Sequence, residues 1–151
     1  MSLPRSSAEI AALYQEMILD HYRRPRNKGT LDKADASVEM KNPLCGDEIC
    51  LQVAFEGDSV CDLRFSGRGC SISQASASMM TQLVKGKSAE EIGAIRKQFR
   101  ELMLGNAPAS DDTQLGSLRA LSGVARFPAR VKCALLAWSA LESALAERAA
   151  G

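Results

Sequence analysis

The feature that most constrains the fold of this chain is a pair of segments in which large apolar residues alternate with smaller or polar ones. The alternation occupies residues 49–55 and returns in residues 60–65, after a short turn that contains Gly57. Such a pattern around a glycine turn predicts an antiparallel hairpin. Residues 38–42 alternate in the same way and predict a short first strand. The sequence therefore predicts a small antiparallel sheet of about three strands.

Helical patterns precede and follow the predicted sheet. Apolar residues recur at helical spacing in residues 10–18, and this first helix is expected to end before Pro25. Pro128 predicts the start of the last helix, because proline is tolerated in the first helical turn. Residues 106–117, rich in Pro, Ser and Asp, are expected to form the most mobile loop. Capping boxes, in which a serine and an acid or amide three residues later satisfy free amides, predict three helix starts. They begin at Ser6, Ser71 and Ser88.

The length and composition fit one domain of α+β class that spans residues 1–151, with the small sheet covered by helices. A formal net charge of +1 and 5% aromatic residues provide no basis for binding nucleic acid by charge or stacking. No apolar run has the length needed to span a bilayer, and the first residues lack the apolar core of a signal peptide. We therefore expect a cytoplasmic protein that binds neither nucleic acid nor membrane.

Three of the five cysteines, together with one aspartate, fall at the ends of predicted elements. Cys45 and Asp47 lie in the turn between the first two strands, Cys70 precedes a helix, and Cys133 lies in the second turn of the last helix. Thiolate sulfur with one carboxylate oxygen suits a tetrahedral zinc ion. The separations, 70 − 45 = 25 and 133 − 70 = 63 residues, match no usual short zinc motif, so a site requires the fold to gather them. The pattern fits equally well a set of buried free cysteines with a turn aspartate.

Other polar and sulfur-bearing residues have alternative interpretations. Arg130 is three residues before Cys133 and would favour its thiolate. His21 is a candidate metal ligand or acid–base group, although a helix-end residue that offsets the helix dipole is the favoured interpretation. The basic residues 23–28 fit either a patch for an acidic partner or a solvated helix end. Cys61 is expected in the core beside other apolar strand residues, and Cys50 is expected to be structural filler.

Five motifs extend this pattern to a known family. They are Leu13-Tyr-x-x-x-Ile18-Leu-Asp-His-Tyr22, Pro25-Arg-Asn27, Asn42-Pro-x-Cys45-Gly-Asp47, Gly67-x-Gly-Cys70-x-Ile-Ser-x-Ala-Ser76 and Arg130-x-x-Cys133-x-x-Leu136-x-Trp138. In these motifs the chain resembles the NifU/IscU-like iron–sulfur assembly proteins and, within them, the SufU-type zinc-dependent sulfurtransferases. The resemblance covers residues 13–141 and implies an α+β fold of SufE/NifU-like type.

Two features distinguish the branches of that family. The IscU branch has a histidine immediately before its third cysteine, where this chain has Lys132. The SufU branch has an arginine three positions before that cysteine, as Arg130 is here. The interval between Cys70 and Cys133 is also longer than in the IscU branch, with an extra segment between Glu91 and Pro128. Both features match the SufU branch.

The resemblance implies a ligand set and a reaction. Cys45, Asp47, Cys70 and Cys133 would bind Zn²⁺, and Cys45 would accept persulfide sulfur from a SufS-type cysteine desulfurase whose histidine replaces it on zinc. Arg130 would support this site, and the desulfurase would dock near residues 106–117 or 23–28. Downstream iron–sulfur assembly proteins would be further partners. Two alternatives remain: an IscU-type scaffold that binds iron and assembles a transient [2Fe–2S] cluster on the same residues, and a zinc module that serves folding alone.

Overall fold

Three strands form one antiparallel sheet in the order β1-β2-β3. The computed structural model describes residues 7–106 and 113–150. The strands are β1 (Ala36–Asn42), β2 (Asp47–Glu56) and β3 (Ser59–Arg68). Alternate residues of β2 are buried, as their period of two requires. Gly57 makes the tight turn between β2 and β3 with a φ of 60°. The predicted three-stranded antiparallel sheet is confirmed.

A β-bulge in β3 changes the side of the sheet on which its first residues lie. Ala54 pairs with Asp62, whereas the next residue, Phe55, pairs with Val60, so Cys61 is left without a partner in the register. Val60 and Leu63 therefore both face the core, and Cys61 is exposed. Its thiol donates to the Ala54 carbonyl at 3.4 Å. The prediction that Cys61 lies in the core is wrong, because simple alternation does not continue across a bulge.

Four α-helices and one 3₁₀ segment cover the sheet in the described residues. They are α1 (Ser7–Arg23), α2 (Ser71–Val84), α3 (Ala89–Met103), the 3₁₀ segment (Thr113–Arg126) and α4 (Pro128–Ala150). The capping box at Ser88 is confirmed, with both of its hydrogen bonds present. The one predicted at Ser71 is wrong, because the N-cap of α2 is Cys70, whose sulfur accepts from the Ser73 amide. The box at Ser6 lies outside the described residues.

The predicted loop at residues 106–117 is wrong over its last part. Residues 113–117 begin the 3₁₀ segment, which kinks at Gly116 with a φ of 51°. Residues 107–112 lie outside the described residues. The 3₁₀ segment packs against α1 and α3, and its Leu115 and Leu118 are fully buried. Burial of one such side chain stabilises the folded protein by about 1.5–3 kcal/mol. This burial accounts for the regular structure of a segment whose composition favoured a loop.

The long helix α4, the last of the chain, packs against α2 and against β1 and so reaches the end of the sheet. Trp138 and Phe99 contact each other with ring centroids 5.5 Å apart, and both are buried. Met79 and Met80 of α2 are fully buried, and their flexible side chains fill the core between the helices and the sheet. Ser76 donates to the Ala134 carbonyl at 2.6 Å, which ties α2 to the second turn of α4. The starts of α2 and α4 are thereby held side by side.

His21 lies in the last turn of α1 but does not act there as an exposed cation. It is only 5% exposed, and its Nδ1 forms a 2.8 Å hydrogen bond with the Ser78 hydroxyl. Burial lowers the pKa of His21, and the charge of Arg26 lowers it further, while Asp20 opposes the shift. The favoured interpretation of His21 as a residue of the helix end is therefore confirmed, and His21 does not belong to the metal cluster. Its burial disfavours the positive charge that was expected there.

The lowered pKa of His21 predicts how stability depends on pH. The folded state favours the neutral ring, so this contribution is complete above the unfolded pKa of about 6.5 and is lost as the pH falls through the folded pKa. We expect His21→Gln to be less stable by about 1–2 kcal/mol at pH 7, and the difference to narrow towards pH 5. Urea unfolding of both proteins from pH 8 to 5 measures this. Since His21 is the one histidine of the chain, parallel pH profiles would contradict the prediction.

Candidate metal centre

The candidate site lies where the β1–β2 turn meets the starts of α2 and α4. Cys45 is in the turn at residues 43–46, and Asp47 is the first residue of β2. Gly46 has a φ of 69°, a conformation that glycine adopts without strain, and the Cys45 amide closes the turn on the Asn42 carbonyl at 3.2 Å. Cys133 comes from the second turn of α4. Turn, strand and helix thus each contribute a side chain to one point.

Three of the four predicted ligands come together there. The ligand atoms of Cys45, Asp47 and Cys133 all lie within 4.8 Å of one another. Cys133 is fully buried, Asp47 is 1% exposed and Cys45 is half-buried. Cys70 is not part of this group of three, because its sulfur accepts from the Ser73 amide at 3.5 Å as the cap of α2. Cys70 nevertheless lies close enough to Cys133 to raise the pKa of its thiol, so it borders the cluster.

Asp47 carries the clearest indication that a cation belongs here. Its Oδ1 accepts from the Cys70 amide at 2.8 Å, but its Oδ2 is buried and has no hydrogen-bond partner among the described residues. A buried carboxylate oxygen without a partner is costly, so such an atom calls for a donor or a metal ion. The donor set of thiolates and one carboxylate oxygen suits zinc, and equally an iron–sulfur cluster. The residues present therefore fit the metal that the sequence predicted.

Gly69 permits this arrangement of Asp47. A Cβ atom at position 69 would collide with Oδ1 of Asp47 and with Oγ of Ser73. We expect Gly69→Ala to displace the carboxylate and to weaken zinc binding by about 10- to 100-fold, as loss of an orienting contact does in metal sites. Gly93→Ala is the matched control, because a Cβ at Gly93 meets nothing within 4 Å. Competition with a chromophoric chelator measures both, and equal zinc affinities would refute the prediction.

The electrostatics of the cluster also favour a cation. Burial raises the pKa of the Cys133 thiol, and the neighbouring side chains of Asp47, Cys45 and Cys70 raise it further. Without a cation Cys133 therefore stays protonated, whereas a bound metal ion reverses this by deprotonating its thiol ligands. The neighbouring Cys70 raises the pKa of the Arg130 guanidinium, and Cys133 adds to this. Arg130 thus lies at the thiols, as its spacing from Cys133 predicted.

Beside the site is a cavity of about 700 Å³ between α1, the start of α2, the end of the 3₁₀ segment and the start of α4. Its wall includes Arg130 and the apolar side chains of Tyr14 and Phe127. Phe127 is 60% exposed, and Leu44, adjacent to Cys45 in the chain, is 77% exposed. Exposed apolar side chains thus lie next to Cys45 in the chain and at the cavity beside Arg130.

The remaining candidates lie away from the cluster. Cys50 is half-buried and its sulfur contacts the Ser37 hydroxyl at 3.9 Å. In the basic stretch of residues 23–28, Arg24 and Arg26 form ion pairs with Asp20 at 3.4 and 2.7 Å. Part of the positive charge of the stretch is therefore neutralised. This agrees better with a solvated helix end than with a patch for an acidic partner.

Sequence reasoning missed Asn42 as a residue of the site. It is 7% exposed, and its Nδ2 donates to Cys133 Sγ at 3.9 Å. Its position in β1 could have indicated this role. Asn42 lies an even number of residues after the buried Ala36 and Val38, so its polar amide falls on the same buried face of the strand. A polar residue on a buried strand face requires a partner, and here that partner is a candidate ligand.

The fold and the cluster define a small α+β protein with a candidate metal centre, and comparison with known proteins identifies its family. The model of the NifU-like N terminal domain family matches residues 13–134, and the chain belongs to this family. A solved NifU-like N-terminal protein from Brucella abortus superposes with a TM-score of 0.82 at 25% identity, covering 91% of this chain and 95% of the other.

Within the family, the chain is similar to SufU-type members, as its motifs indicated. It is 48% identical over 145 residues to the zinc-dependent sulfurtransferase SufU of Bacillus subtilis, covering 96% of this chain and 97% of the relative. It is 47% identical over 134 residues to an iron–sulfur cluster assembly scaffold protein IscU of Streptococcus pyogenes, covering 88% and 82%. A SufU structure from Fervidobacterium islandicum has a TM-score of 0.80 at 37% identity, covering 93% and 99%. No helix among the described residues is long and apolar enough to cross a membrane.

Proposed function

We propose that this protein is a zinc-dependent sulfurtransferase that accepts persulfide sulfur from a SufS-type cysteine desulfurase and passes it to downstream iron–sulfur assembly proteins. The observation that carries the proposal is the cluster of Cys45, Asp47 and Cys133, in which a buried carboxylate oxygen lacks a partner. The similarity to a SufU of 48% identity along almost the whole chain supports it. The proposed zinc ligands are Cys45, Asp47, Cys70 and Cys133.

Cys45 is the proposed sulfur acceptor because its surroundings let it move. It lies half-buried in a glycine-containing turn, and its thiol donates to the Ala129 carbonyl at 3.9 Å. Cys133 is fully buried in a helix that packs on the sheet, and Cys70 caps α2. Displacing either of these would disturb helix packing or a helix cap, each of which stabilises the fold by about 1–3 kcal/mol. Cys45 can reach a partner with less disturbance.

The proposed transfer is an ordinary thiol–persulfide exchange. The Cys45 thiolate attacks the outer sulfur of the desulfurase persulfide, a new sulfur–sulfur bond forms on Cys45, and the bond within the persulfide breaks. The desulfurase cysteine leaves as a thiolate, and the proton of the persulfide stays on the transferred sulfur. Bound zinc would keep the ligand thiols deprotonated at neutral pH. Arg130 would add positive charge beside Cys70 and Cys133.

A surface for the desulfurase is available around the site. Leu44 and Phe127 are exposed, and they adjoin the cysteine turn and the cavity beside Arg130. Exposed apolar side chains next to a reactive group are typical of a docking surface. The proposed location is the cytoplasm, where unpaired cysteines such as these five stay reduced.

The second candidate function is a scaffold that assembles a [2Fe–2S] cluster. Two observations support this candidate. The chain is 47% identical to an IscU scaffold protein, and the same set of thiolates and carboxylate also suits iron. Metal and sulfide analysis of anaerobically purified protein separates the two candidates. Near-equimolar zinc without visible absorption supports the sulfurtransferase, and matching iron and acid-labile sulfide support the scaffold.

The direct test of the proposed function is mass spectrometry after incubation with desulfurase and cysteine in the absence of reductant. We expect a mass increase of one sulfur atom, located by peptide mapping on Cys45. Sulfur on Cys70 or Cys133 with Cys45 unmodified would overturn the assignment of the acceptor. No added sulfur on any cysteine would overturn the sulfurtransferase proposal itself.

A further inference from the structure

The three sulfurs of the site differ in the N–H groups that reach them. Cys70 Sγ accepts from the Ser73 amide at 3.5 Å, and Cys133 Sγ accepts from Nδ2 of Asn42 at 3.9 Å. The thiols of Cys45 and Cys133 both donate to the Ala129 carbonyl, at 3.9 and 3.7 Å, but within the part of the chain that the structure describes no N–H donor reaches Cys45 Sγ. The sulfurs are therefore chemically unequal before any partner binds.

The position of Asn42 follows from the sheet. It is the last residue of β1 and pairs directly with Asp47 at the start of β2, so both side chains leave the same end of the sheet. α4 packs on β1, and this places Cys133 above the amide. Because Asn42 is 7% exposed, its amide needs a partner inside the protein, and the sulfur of Cys133 supplies one.

We propose that Asn42 is a positioning residue of the metal centre: its amide holds Cys133 as a weakly nucleophilic metal ligand and leaves Cys45 as the reactive sulfur. This inference rests on the proposed function and deepens it, since it explains why one ligand leaves and another stays. An N–H···S hydrogen bond withdraws charge from a thiolate. Hydrogen bonds to charged groups change equilibria by roughly ten- to a hundredfold. About half of this change in the equilibrium constant, on a logarithmic scale, appears in the rate of thiolate attack. The Cys133 thiolate is therefore expected to attack about three- to tenfold more slowly than a thiolate without the N–H donor.

The first experiment uses the unaltered protein with ¹¹³Cd²⁺ in place of zinc. In protein labelled with ¹⁵N on asparagine, a hydrogen bond from an amide to a metal-bound sulfur transmits a scalar coupling between the proton and ¹¹³Cd. Only three asparagines are present, at positions 27, 42 and 106. We expect a coupling to the side-chain amide of Asn42 and none to that of Asn27, which donates to Thr81. A fully cadmium-loaded protein in which Asn42 shows no coupling would overturn the proposal.

The second experiment distinguishes positioning from general support of the fold. In Co²⁺-substituted protein, Asn42→Leu should shift the sulfur-to-cobalt charge-transfer band to longer wavelength, because a sulfur without its donor is more electron-rich. Asn42→Gln, which keeps an amide donor, should restore the wild-type band. Lys41→Leu is the matched control, since the neighbouring Lys41 is exposed and pairs with Glu39. An Asn42→Leu band identical to wild type would refute the inference.

Failure of this inference and failure of the proposed function are separable. Both readouts above need only the metal-loaded protein and no desulfurase. A missing coupling together with persulfide on Cys45 would remove Asn42 from the mechanism and leave the sulfurtransferase intact. A clear coupling without any persulfide would support the placement of Asn42 and reject the transfer reaction.

Discussion

Cys45→Ser is expected to lower desulfurase activation by about 10³-fold or more, as removal of an attacking nucleophile does in enzymes that form covalent intermediates. The hydroxyl of serine is a far weaker nucleophile at neutral pH and forms no persulfide. The fold is expected to persist, because Cys45 lies half-buried in a turn rather than in the packed face of a helix or strand. Steady-state cysteine turnover by the desulfurase, with and without the variant, measures the effect.

Cys61→Ser is the matched control for Cys45→Ser. Cys61 is an exposed free cysteine at the bulge of β3 and does not belong to the metal cluster. Its replacement should leave activation within about twofold of wild type, since surface substitutions change stability by only about 0.5 kcal/mol. If Cys45→Ser kept wild-type activation while Cys61→Ser lost it, the sulfur acceptor would have to be reassigned.

Cys133→Ser is expected to lose the metal and a large part of the thermal stability together. Cys133 is fully buried within 4.8 Å of Asp47 and Cys45, so serine there removes a thiolate and leaves the carboxylate without its cation. A ligand present at about a thousand times its Kd stabilises the folded state by about 4 kcal/mol. For a chain of this length that corresponds to a fall in Tm of about 10 °C. Metal content and calorimetry measure both effects.

Two comparisons make the Cys133 result interpretable. Cys50→Ser replaces a half-buried cysteine outside the cluster and should retain one zinc with an almost unchanged Tm. A strong chelator should lower the Tm of wild type towards that of Cys133→Ser and leave the variant nearly unaffected. A Cys133→Ser protein that binds one equivalent of zinc with wild-type affinity would exclude Cys133 as a ligand.

Local patterns predicted local structure well. The period of two in residues 49–55 and the serine box at Ser88 depend on neighbours a few residues away, and both are present in the structure. Local rules failed where packing intervened. The bulge opposite Ala54 exposed Cys61, and burial against α2 removed the charge expected on His21. The capping residue of α2 moved by one position, to Cys70, because a thiol can also accept a hydrogen bond from a helix amide.

The class of fold, the family and the residue types of the candidate site could be predicted from the sequence. They follow from the short periods of apolar residues and from motifs within single elements. Which of those residues lie together depends on how the helices and the sheet pack. Asn42 and Cys133 are 91 positions apart, and their contact depends on how α4 packs against β1. The unpartnered oxygen of Asp47 is likewise a property of the packed state, since a carboxylate in an unfolded chain is hydrated. Proximity and burial arise from packing, and these two properties turn separate thiols and a carboxylate into a candidate metal centre.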